Sequence, residues 1–156
     1  MRWRSGLAGG AAALLALACA ARQEPSGPSG SPPPPEQVQL LRQRAEGFYQ
    51  KLVARRFNTL ETFDDPALRQ HFRSLDLFFD YYADLAQSLA GAHFERSRPV
   101  RVAVEELRFE DPEHARLRVH FVGEDGRPLR PDRAALLRTD LWEFEEGEWW
   151  IRPGKL

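Results

Sequence analysis

Arg138 and Asp140 stand two residues apart in a run that continues to Trp142 and Phe144. In an extended strand all four side chains share one face. A carboxylate set among aromatic rings is a candidate general base, because desolvation raises its proton affinity. The same two residues also make a plain ion pair, or leave Asp140 in solvent near the strand entrance, with no chemistry at all. A base needs a second group, and spacing alone puts none beside Asp140, so no residue is assigned a catalytic role. Tyr82 or His71 would have to supply it. Tyr82, Asp140, Trp142 and Phe144 are the candidate pocket residues.

The other side chains that carry chemistry point away from an enzyme. His71, His93, His114 and His120 are scattered, and no two have the helical spacing of a zinc site. There is no G-x-S-x-G elbow for acyl transfer and no glycine-rich loop between a strand and a helix for nucleotides. Neither a metal nor a cofactor is expected. The formal net charge of -1 lacks the basic excess of a nucleic-acid binder.

Cys19, the one cysteine, is the remaining reactive group. Met1-Arg2-Trp3-Arg4 gives a positive start, and Leu7 to Ala18 an uncharged Ala- and Leu-rich stretch too short to span a bilayer. Small residues at Ala16 and Ala18 suit a signal peptidase. The segment LLALAC resembles the lipobox of bacterial lipoprotein precursors, with Ala16 where that family most often has Leu. The resemblance implies a signal peptide over 1–18 and a diacylglycerol, with further acyl chains such as palmitate, on Cys19. The partner of this end of the chain is then a membrane, and two or more acyl chains anchor a soluble domain stably. Ala20 after the cysteine leans toward outer-membrane delivery, facing the periplasm, in a diderm host. The plainer alternative is a secretory signal cut after Ala18 or Ala20, with Cys19 incidental.

Between anchor and body, residues 19–35 are built mainly from Pro, Gly, Ser and polar residues and end in Pro32 to Pro35. Such a stretch buries too little apolar surface to offset its ordering entropy and reads as a tether. Fully extended at ~3.1 Å per residue, Arg22 to Pro35 reaches roughly 40 Å. Residues 36–156 form one modest domain, with no cysteine for a disulfide.

That domain begins with helices. Val38, Leu41, Ala45, Phe48, Tyr49 and Leu52 recur at spacings of three and four and predict an amphipathic helix over 36–57. Asp65-Pro66 starts a short helix carrying Leu68 and Phe72, and Ser74 caps a third. On this third helix Leu75, Phe78, Phe79, Tyr82, Leu85, Ala86 and Leu89 form the core stripe, and Gly91 ends it. After Pro99 the period becomes two. Val100, Val102 and Val104 give way to Leu107 and Phe109 in the opposite parity, so a bulge is expected at Glu105–Glu106. Asp111-Pro112-Glu113 turns into a strand with Leu117, Val119 and Phe121 on one face and His120 on the other. A loop runs from Glu124 to Asp132. Glu146-Gly147 then closes a hairpin that sets Phe144 opposite Trp149 and Trp142 opposite Ile151, with Glu145 facing Glu148.

Helices followed by a bent antiparallel sheet ending in W-x-F-x-x-G-x-W-x-I predict an α+β fold, a cystatin-like cone. Residues 36–156 resemble the nuclear-transport-factor-2-like superfamily, which includes SnoaL-like cyclases and ketosteroid isomerase. The resemblance implies a pocket between the helices and the concave sheet face. It also implies self-association through the sheet, for which Leu141 and Trp150 on the other face are the candidate interface; the first helix or the tether could instead cover Trp150. The function expected is a lipid-anchored envelope protein whose domain binds a protein partner, a second copy as a homodimer, or a small apolar ligand, without catalysis. A SnoaL-like isomerase using Asp140 with Tyr82 or His71, and a structural spacer, are the alternatives.

Overall fold

The computed structural model describes residues 32–130 and 132–154. The signal segment, Cys19 and the tether as far as residue 31 lie outside them. Four helices, α1 (Pro35–Leu52), α2 (Leu60–Phe63), α3 (Pro66–Arg69) and α4 (Leu75–Gly91), precede four strands, β1 (Phe94–Phe109), β2 (His114–Asp125), β3 (Arg133–Glu145) and β4 (Glu148–Arg152). The strands form one antiparallel meander in sequence order. The fold is α+β, helices packed on a curled half-barrel sheet.

α1 buries the face its periodicity assigns: Leu41, Ala45, Phe48, Tyr49 and Leu52. It begins at Pro35, where a missing N–H costs nothing, and ends five residues before the expected Phe57. Ala54 takes the left-handed conformation at φ 64° and its N–H donates to the Pro99 carbonyl at 2.8 Å. Phe57 still reaches the core, but from a loop whose N–H bonds Ser97. The one-turn α2, which the periodicity does not reveal, is capped by Thr59. Asp65 and Ser74 cap α3 and α4 as expected, accepting from the Ala67 and Leu77 N–H groups.

One detail of α4 corrects the sequence reading. Its innermost residues are Phe78, Tyr81, Leu85 and Leu89, while Leu75 is 46% exposed and Phe79, Tyr82 and Ala86 are half-buried. Gly91 is the last helical residue, as expected, and His93 then takes the left-handed conformation at φ 62°.

β1 starts six residues before Val100 and is irregular: Arg96 and Ser97 have positive φ, and the register shifts on both sides of Pro99. A further shift lies between Val104 and Glu106, at the predicted bulge, and lets Val102, Val104, Leu107 and Phe109 all lean on the core. Bulges bend and twist a strand, and three in β1 account for the curl.

The last hairpin has the predicted pairing, Trp142 with Ile151 and Phe144 with Trp149. Glu146 and Gly147 both have positive φ, 55° and 84°, the type I′ geometry that matches strand twist. The expected clash of Glu145 with Glu148 is answered from the helical side: Arg73 pairs with Glu145, and Arg44 reaches Glu148 at 3.3 Å. The Trp149 indole N–H donates to the Gln37 carbonyl at 3.0 Å, pinning α1 across the end of the sheet.

Candidate functional site

Asp140 sits in the middle of this assembly, 3% exposed, on the concave face of β3. Tyr49 from α1 and Tyr81 from α4 both donate hydroxyl hydrogens to its Oδ2, at 2.9 and 2.8 Å. The Arg138 Nε–H donates to Oδ1 at 2.7 Å. Trp142 donates its indole N–H to the Tyr49 oxygen at 3.2 Å. Arg138 also approaches Asp84 of α4 at 2.9 Å and lies 4.9 Å over the Tyr81 ring. One carboxylate thus joins α1, α4 and the sheet.

Electrostatics fixes the protonation of its partners. Burial, then the negative charge of Asp140, pushes both tyrosine hydroxyls well above their ordinary range, so they stay neutral donors. Burial alone would lower Arg138, but the Asp140 and Asp84 charges and the hydrogen bond to Asp140 outweigh it and hold the guanidinium above its usual range. Every partner donates to Asp140 and none can accept from it. Such a carboxylate is held in place by its neighbours, with both oxygens engaged.

The four candidate pocket residues are not brought together around a cavity. Asp140 and Trp142 share the network. Tyr82 is half-buried on a different part of α4, near Phe57 and Phe63, and its hydroxyl donates to the Thr59 carbonyl at 3.0 Å. Phe144 lies by Trp149, ring centroids 5.2 Å apart, toward the hairpin end. The network's key donors, Tyr49 and Tyr81, are absent from the sequence-derived set. The spacing 78-81-85-89 could have singled out Tyr81, since it follows a helix stripe as well as 78-82-85-89 does.

His71 is 5% exposed in the turn after α3, with Nε2 3.1 Å from the Lys51 ammonium. Burial, then Lys51 and Arg44, lowers it to about 4, so it is neutral at pH 7. It touches the Phe48 ring rather than Asp140. On the convex face His120 meets Glu105 at 3.1 Å, and His114 sits between Asp111 and Glu143, its proton affinity raised chiefly by the hydrogen bond to Asp111. Among the described residues no three His, Cys, Asp or Glu side chains gather as metal ligands.

Leu141 and Trp150 lie on the convex face, both half-buried. Leu141 stands between Arg116 and Arg152 in the register. Arg44 of α1 reaches around the β4 edge to lie 4.8 Å over the Trp150 ring, whose indole N–H donates to the Glu145 carbonyl. The first helix therefore covers part of Trp150.

Two clefts flank α1. One, about 260 Å³, opens between α1 and the β1 bulge over Ala45, Val104, Leu107 and Leu117, rimmed by Arg42, Glu46, Glu105 and Glu106. The other, about 470 Å³, runs between α1, the turn after α3 and the hairpin tip. No helix among the described residues is long and apolar enough to cross a membrane. Compared with known proteins, the chain matches no family model, no curated protein and no solved structure at a significant level.

Proposed function

We propose that this protein is a lipid-anchored envelope protein whose small α+β domain, of the nuclear-transport-factor-2-like kind, is a non-catalytic binding module for a small ligand. The observation that carries the second half is the state of Asp140. The carboxylate on which an isomerase reading depends is buried, and Tyr49, Tyr81 and Arg138 engage both of its oxygens. A general base must reach a substrate proton at about 2.6–3.2 Å, whereas Asp140 is 3% exposed and three donors hold its oxygens. The two surface clefts beside α1 support a binding role over a bare spacer. The anchor half rests on LLALAC and Cys19.

Two measurements test this reading. Cells fed a labelled fatty acid should label the wild-type chain, and Cys19→Ser should abolish the label; a soluble, unlabelled wild-type protein beginning at Ala21 refutes the anchor. Purified protein offered apolar ketones should show no isomerisation. Turnover that collapses in a folded Asp140→Asn variant overturns the non-catalytic reading.

A further inference from the structure

The larger cleft has the chemistry of an anion site. Its floor is one face of α1, with Leu40, Gln43, Arg44, Gly47 and Lys51 at spacings of three and four, and its far wall is Gln70, His71, Gly147, Trp149 and Glu148, whose carboxylate faces Arg44. At about 470 Å³ it lies within the range of small-ligand sites.

Three features of this groove have no explanation inside the protein. Gly47 lies mid-helix, where glycine costs roughly 0.5–1 kcal/mol relative to alanine, yet a Cβ added there would meet nothing within 4 Å. No packing contact requires its absence; what it does is keep the groove floor clear. Lys51 carries its charge beside a neutral imidazole and has no carboxylate within 4 Å among the described residues. Finally, with Lys51 donating to His71 Nε2, the imidazole proton falls on Nδ1. That buried atom and the buried Arg44 Nε both lack a partner among the described residues. Buried donors are nearly always paired, so these two mark the polar wall at His71 and Arg44 as incompletely satisfied, next to an ammonium that has no carboxylate.

We infer that the groove between α1, His71 and the hairpin tip binds a small monocarboxylate, its carboxyl at Lys51 and its chain along Gly47 toward Leu40 and Trp149. The charge count selects a single negative charge. Arg44 is committed to the Gln70 carbonyl at 3.0 Å, to Glu148 and to the Trp150 ring, which leaves one free cation. A phosphate dianion is usually met by several cations or a bidentate arginine, and this groove offers neither. The inference rests on the binding-module reading and gives it a place and a ligand class.

The test is a titration of the ¹⁵N-labelled full chain with hexanoate at constant ionic strength, with hexanamide and inorganic phosphate as controls. Saturable shifts are expected at the amides of Gly47, Lys51 and Gly147. Hexanamide, phosphate and the Lys51→Met variant, which keeps the stem but not the charge, should each bind at least 10-fold more weakly. Gly47→Leu, which fills the floor, should do the same while the rest of its spectrum stays native. Equal binding of hexanoate and hexanamide, tighter binding of phosphate, or an unaffected Lys51→Met overturns the inference. Shifts centred on Ala45, Val104 and Leu107 would also overturn it while leaving a binding module with a different site. Ketone turnover, by contrast, would strike the binding-module reading itself.

Discussion

Replacing Tyr81, Tyr49 and Asp140 one at a time should give a ranked loss of stability, because the three remove different amounts of one buried network. Tyr81→Phe deletes a single hydroxyl that donates to Asp140 at 2.8 Å. A hydrogen bond to a charged group contributes about 1.5–3 kcal/mol, and the ring stays to fill its place. Tyr49→Phe deletes an equivalent bond and also strips the Trp142 indole of its acceptor. That second loss, at 3.2 Å, adds about 1 kcal/mol, for a total of about 2.5–4 kcal/mol. Asp140→Ala removes the acceptor for both tyrosines and leaves Arg138 with Asp84 alone. Breaking a buried pair from one side costs about 3–5 kcal/mol. Urea unfolding followed by far-ultraviolet circular dichroism gives all three values on one scale. The double variant Tyr49→Phe/Tyr81→Phe should lose more than the sum of the singles, since in each single variant the remaining hydroxyl still satisfies Oδ2 and in the double none does. If both single Phe variants stay within about 0.5 kcal/mol of wild type, the hydroxyls are not what holds the carboxylate, and the network account fails.

His71, lowered to about 4 when folded against an ordinary value near 6.5, binds its proton more readily in the unfolded chain. Its contribution is therefore full above about pH 6.5 and is lost as pH falls toward 4, by up to about 3 kcal/mol; His71→Gln should flatten the urea midpoint across that window, and an unchanged slope refutes the assignment. Trp149→Ala removes a fully buried ring and the bond to Gln37, costing about 3–5 kcal/mol, whereas Trp150→Ala loses chiefly the Arg44 contact, about 1 kcal/mol. Thermal melts that reverse this order would put the hairpin out of register by one. Gly47→Ala should raise stability by about 0.5–1 kcal/mol. Gly123→Ala should lower it by about 1–3 kcal/mol, because its Cβ would press on the Phe94 ring and lie 2.9 Å from the Arg98 carbonyl oxygen. Equal melting temperatures for the two alanine variants would contradict both placements.

What the sequence made legible follows the range of the forces involved. The Trp142–Ile151 and Phe144–Trp149 pairs could be read because a two-residue turn and a period of two act within a dozen residues. The Val104–Glu106 bulge was visible for the same reason, as a change of parity along one strand. The end of α1 was not. Phe57 is buried, yet its backbone is held by Ser97, forty residues away in the chain. The first third of β1 was hidden for the matching reason. Pro99 and the positive φ of Arg96 and Ser97 break any local strand pattern there, and pairing with Ala54 and Phe57 supplies the order instead.

The candidate site failed to be legible in a more specific way. Asp140 could be placed on the inner face from parity, but whether an inward carboxylate is a base or a strut depends on what meets it from other elements. Tyr49 and Tyr81 were each read locally, one as an apolar helix position and one passed over for Tyr82, and only the packing of α1 and α4 on β3 turns both hydroxyls onto the same oxygen. Placing two neutral donors and one cation around a carboxylate stabilises the charge that is already there. It also withholds that charge from a substrate. The same helix supplies the contrast, for Tyr49 on the inner face of α1 is fully engaged while Lys51, two residues on, has only an imidazole beside it. Around Asp140 both carboxylate oxygens and both tyrosine hydroxyls are engaged, and that arrangement favours stability. On the binding-module reading proposed above, the chemistry offered to other molecules lies on the outer side of α1.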